Sequence, residues 1–141
     1  MCSEIPESPF QFSTPELACL EFVPNRDFDA PPNSEVRTSI RMGITVRRNN
    51  LAPEAEVELT MNIGEKDVNS PFYIRAVERA RFRWEKDMAD TTVKVVLEGN
   101  APLLLLSYLR PVIVQITSAS AYGACHIPYV DLRKFKPVNY E

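Results

Sequence analysis

The sequence predicts an α+β fold: a four-stranded antiparallel meander sheet with helices packed on one face, assembled into an oligomer. Three observations predict it. Strict alternation of apolar and polar residues recurs in three long runs between Val36 and Trp84. Short polar links join those runs, which is how antiparallel neighbours are connected. A stretch of helical length then follows, Ala101 to Ile116, apolar on nearly every side.

The 141 residues suit one domain, with 45% apolar and 25% charged residues, both ordinary for a globular chain. Residues 1–16 carry Pro6, Pro9 and Pro15 and are expected to form a flexible arm, leaving 17–141 as the folded unit. Leu17 to Phe22 reads as a first strand, and Phe28 to Asn33 as a stiff connection containing Pro31 and Pro32. In the next run Val36, Thr38, Ile40, Met42, Ile44 and Val46 face one side, with Arg37, Ser39, Arg41, Gly43 and Thr45 on the other. After a turn at 49–53, Ala55, Val57, Leu59, Met61 and Ile63 resume the dry face. A third run places Phe72, Ile74, Ala76, Ala80, Phe82 and Trp84 dry, and Arg75, Arg79, Arg81 and Arg83 wet. Glu56 and Glu58 on the neighbouring strand make cross-strand ion pairing the plain reading of that charged face. The other reading is a docking face for a charged partner.

Beyond Trp84 the period changes. Asp90-Thr91 and Gly99 bracket a short helix, and Asn100 with Pro102 opens a longer one running to about Tyr122, ended by Gly123. Pro111 inside it removes a hydrogen bond at a cost of about 3 kcal/mol, so the helix kinks or divides there. Its apolar sides outnumber what one sheet covers. Leu105, Leu106, Leu109 and Val112 are therefore expected at the interface of a homodimer or homotetramer. A membrane span needs about 20 mostly apolar residues, and Arg110 and Gln115 interrupt this stretch, so no membrane insertion is expected.

Chemistry is thinly supplied. The one histidine, His126, adjoins Cys125, and in an extended segment the two point to opposite faces. Four scattered glycines make no phosphate loop, and no set of residues has metal-ligand spacing. The carboxylates Glu54, Glu56 and Glu58 lie on a solvated face. No enzyme activity and no cofactor are expected. The net charge of -3 argues against nucleic acid. Cys2, Cys19 and Cys125 read as reduced thiols in a cytoplasm, and the residues after Met1 show no leader pattern.

The order of elements and three local stretches, "FDAPPN" (28–33), "NAPLLLLSYLRPVI" (100–113) and "IPYVDLRKF" (127–135), resemble the SecB family of tetrameric protein-export chaperones. Pro102, Leu104, Leu105, Tyr108, Arg110 and Ile113 match the opening of that family's helix, and Ile127, Pro128, Val130, Asp131 and Leu132 its tail. The resemblance covers about residues 17–136. It implies an ATP-independent holdase for unfolded polypeptide clients, with Phe28, Pro31, Ile40, Leu132 and Phe135 lining the client groove. The family's acidic docking positions for the export motor ATPase correspond to Asp29, which keeps its charge, and Arg75, which reverses it. Ser107 and Pro111 replace the family's proline and glutamate, and Pro137 cuts the last helix. Two other readings belong beside export: a chaperone dedicated to one client such as an antitoxin, and a structural or adaptor homologue.

Overall fold

The computed structural model describes residues 5–29, 38–66, 69–134 and 138–141. Its strands are β1 (Gln11–Phe12), β2 (Glu16–Pro24), β3 (Ile40–Arg48), β4 (Glu54–Ile63), β5 (Phe72–Arg83) and β6 (Asn139–Tyr140). β3, β4 and β5 form the expected antiparallel meander, with Ile44 opposite Leu59 and Val57 opposite Ala80. β2 pairs antiparallel with the far edge of β5, its register shifting between Leu17 and Cys19.

The sheet is nevertheless six-stranded and mixed, not a four-stranded meander. β1 joins the edge of β5 beyond β2, and β6 pairs parallel with β3. Each added strand is two residues long, too short for any alternation to announce it. β1 falls within the stretch expected as a free arm. It is held by Phe10 stacked on Trp84 at 5.4 Å and by Phe12 beside Phe82 and Tyr108.

The dry face follows the alternation. Ile44, Val46, Ala55, Val57, Leu59, Met61, Ile63, Ile74, Ala76, Ala80 and Phe82 are buried. Gly64 ends β4 with φ +71°, and a Cβ there would lie 2.2 Å from the Phe72 carbonyl oxygen, so only glycine fits. One dry position breaks the rule: Glu78, 4% exposed, opposite Leu59 on β4 and Leu17 on β2.

The helical region corrects the sequence reading. α1 (Asp90–Val95), a π-helical turn (Val96–Asn100) and α2 (Ala101–Ser118) run on without a break. Asn100 has helical dihedrals and no capping bond, and Ala89, not Asp90, is the extended residue before α1. Pro102 has no N–H for the carbonyl four residues back, so the regular ladder is interrupted where the π turn sits. α2 also passes Pro111 without dividing and stops at Ser118, earlier than expected, Gly123 following with φ +80°. By length and composition the run from Asp90 to Ser118 is apolar enough to cross a membrane. Here it covers the sheet, burying Val93, Leu97, Leu105, Leu109 and Ile113. The last helix that the resemblance implies is, among the described residues, a single 3-10 turn, Leu132–Lys134.

Candidate functional site

After α2 the chain runs without regular secondary structure from Ala124 to Asp131, and two cavities flank this segment. It is stitched to the helix twice. The Thr117 hydroxyl, fully buried, donates to the Ile113 carbonyl at 2.6 Å and accepts the Cys125 N–H at 2.7 Å. Further along, the Arg110 guanidinium donates to the Pro128 carbonyl at 2.8 Å. A serine or threonine near a helix end commonly bonds back to the preceding turn, and Thr117 uses its remaining lone pair to fix the next segment.

The first cavity, about 660 Å³, lies between the start of β3, the start of β5 and residues 122–128. Thr38, Ile40, Phe72, Tyr122 and Cys125 line it. Tyr122 sets its rim, because its ring meets the half-buried Phe28 edge-on at 5.1 Å and its hydroxyl donates to the Asn25 carbonyl at 3.0 Å. Asn25 is tied in turn to the start of β5, its N–H to the Pro71 carbonyl and its side-chain amide to the Ser70 carbonyl. Burial pushes the Cys125 thiol up from its ordinary value, which disfavours the thiolate.

The second cavity, about 680 Å³, lies between the helices and the far end of the segment. Val95, Leu103, Tyr129 and Leu132 supply its apolar lining, with Lys94, Glu98, Asp131 and Arg133 as a charged rim. Tyr129 is 98% exposed and Val95 67%, so large apolar area stands free beside an already formed hollow. The Arg133 side chain bonded to Asp131 at 2.9 Å holds that carboxyl below its usual range.

The expected groove residues are thus divided. Phe28 and Ile40 gather at the first cavity, while Leu132 lines the second, largely buried. Pro31 and Phe135 lie outside the described residues. Tyr122 and Tyr129 were not singled out in the sequence; each sits in an irregular segment where no period marks a buried or exposed side.

Leu105, Leu106 and Leu109 are fully buried against the chain's own sheet and leave no surface for a partner, whereas Val112 is only partly buried. On α2 the outward apolar groups are Leu103 and Tyr108, and on β2 Leu17, Leu20 and Val23. Asp29 is exposed, its backbone bonded to the Asn69 amide. Arg75 points from the wet face and donates to the Cys19 sulfur at 3.2 Å. Other wet-face arginines are paired: Arg79 with Glu16 at 2.6 Å, and Arg47 with Glu56, Glu58 and Glu141. Among the described residues no cluster of His, Cys, Asp or Glu has the makings of a metal site.

No protein-family model matches the sequence, and no curated protein matches it. The fold is shared with solved structures. The SecB-like chaperone Rv1957 of Mycobacterium tuberculosis, in complex with a ChAD peptide from the Rv1956 HigA1 antitoxin, matches with a TM-score of 0.68 at 11% identity. That match covers 86% of this chain and 88% of the chaperone. A protein of unknown function from Streptococcus agalactiae matches with a TM-score of 0.52 at 10% identity, covering 85% of this chain and 97% of that one. The chain therefore has the SecB-like fold, the class that its residues in 28–33, 100–113 and 127–135 resemble.

Proposed function

We propose that the protein is an ATP-independent chaperone that holds unfolded polypeptide segments along residues 122–133. The observation that carries this reading is the pair of cavities on either side of that segment, each lined by aromatic and aliphatic side chains within a fixed backbone. A holdase needs apolar surface that is exposed yet divided, so that clients bind and the chaperone does not self-associate through one large patch. Phe28, Ile40 and Tyr122 would take one apolar client side chain, and Leu103, Tyr129 and Leu132 another. The proposed working form is a cytoplasmic homo-oligomer, its contact made by Tyr108 and Val112 together with the β2 edge.

Two observations favour a dedicated client over general export. The SecB-like neighbour is seen with an antitoxin peptide, and the strand expected to dock the export motor carries Arg75 in place of an acid. The decisive experiment is suppression of aggregation of a slowly refolding protein without nucleotide. Suppression near one oligomer per client supports the reading; aggregation unchanged at a tenfold excess, a ratio about large enough to saturate micromolar binding, rejects it in favour of an adaptor.

A further inference from the structure

Among the described residues, β3 has a partner on one side only along most of its length. β4 pairs with it from Ile40 to Arg48, but on its outer side the described residues offer only β6, at Thr45 and Val46. An edge strand presents a row of unpaired N–H and C=O groups, a template on which an extended peptide adds as a further strand. The row from Ile40 to Ile44 begins at the first cavity, to which Ile40 belongs.

The chain's own residues 138–141 occupy the other end of this row. Asn139 and Tyr140 lie opposite Thr45 and Val46, and the Glu141 N–H donates to the Val46 carbonyl at 3.0 Å. The Tyr140 hydroxyl donates to Glu98 at 2.8 Å, and Arg47 donates to the Glu141 carboxylate at 2.8 Å. Val138 packs against the core. Glu98 also rims the second cavity, so this small strand ends where the β3 edge and that cavity meet. It is poorly built as a permanent cover. Only two residues pair, Tyr140 is 46% exposed, and the Arg47–Glu141 bridge is open to water, where ion pairs hold weakly.

We propose that residues 138–141 are a displaceable self-ligand that holds the β3 edge until a client strand takes it. Resting on the chaperone reading, this adds a regulation to it. Client binding has to expel the segment, so the apparent affinity is lowered by the fraction of time the edge is open. The seat also defines the competing client: an extended segment with a hydroxyl-bearing aromatic residue opposite Val46, followed by an acid within reach of Arg47.

The test uses the full chain and a permanently unfolded client, reduced and carboxymethylated lactalbumin. In the double variant Tyr140→Ala, Glu141→Ala, client affinity should rise about threefold to tenfold, as expected when a mostly closed site is opened. An acetylated Val-Asn-Tyr-Glu peptide added in trans should return the affinity toward wild type. In the wild type, client binding should remove the exchange protection of the Glu141 amide. Should the double variant unfold, Tyr140→Phe keeps the ring, removes the bond to Glu98, and should show a smaller rise. Equal affinity of the variants and wild type, with Glu141 still protected in the client complex, overturns the self-ligand and leaves the chaperone reading standing. No client captured by any of the proteins overturns both.

Discussion

Glu78 of β5 lies directly opposite Leu59 of β4 on the dry face, and its Oε2 has no hydrogen-bond partner among the described residues. Burial, and secondarily the negative charge of Glu16, raise its pKa above the ordinary 4.5. Ionisation therefore costs the folded state more than the unfolded one. Stability from the neutral acid is fully present below the ordinary value and is lost as the pH rises through the raised one. Glu78→Gln should flatten that fall and raise stability at neutral pH by about 1 kcal/mol, by sparing an unpaired buried charge. Urea midpoints at about pH 4 and about pH 8 bracket the titration. A Gln variant weaker than wild type at the higher pH would show that Glu78 is paired.

The two sides of α2 should respond differently. Leu109→Ala, facing the sheet, should cost about 2–5 kcal/mol, measured by denaturant unfolding. Tyr108→Asp, facing outward, should loosen only the Phe12 contact of β1, leave the core intact, and lower the mass seen by light scattering. A wild-type mass of 16.0 kDa at micromolar concentration would dispose of the proposed oligomer.

For the wet face, Arg75→Ser with Arg79→Ser should move the thermal midpoint by no more than about 3 °C, since exposed pairs add little. Wild-type protein should show no measurable affinity for the export motor ATPase through this strand. Salt-sensitive binding that disappears in the double variant would contradict that expectation.

Client capture should depend on the rim of the first cavity. Phe28→Ala with Ile40→Ser removes apolar contact worth about 1.5–3 kcal/mol for each fully buried side chain, so affinity should fall at least about tenfold. Both side chains are only partly buried in the free protein, so the melting temperature should fall much less than for Leu109→Ala. Unchanged affinity per folded molecule would move the client site elsewhere.

How much of this was legible depended on period. β3, β4 and β5 were plain because one residue in two is committed to the core, and Glu78 was hidden by the same logic, an acid in a dry slot. β1 and β6 carry two residues each and leave no periodic trace. Asn100 and Pro102 look like a helix start, yet the same missing N–H can be absorbed by a wider turn within a continuous helix. The cavities draw on Phe28, Ile40, Tyr122 and Leu132, which are far apart in sequence. Phe28, Ile40 and Leu132 were identified through family resemblance, while Tyr122 had no local signal at all.

The π turn also sets a rotational phase. Val93, Leu97, Ala101, Leu105, Leu109 and Ile113 are all buried, and they fall at every fourth position. At about 100° per residue, each step of four overshoots a full turn by about 40°, and five steps would carry the row about 200° around a regular helix. One surplus residue in Val96–Asn100 winds back about 100° of this, leaving a spread that an ordinary apolar stripe accommodates. The turn thus acts as a one-tooth gear between α1 and α2. Deleting Gly99 should close the helix into regular form with Val93 and Leu97 still facing the sheet, whereas inserting a further residue there should turn them about 100° out of the core.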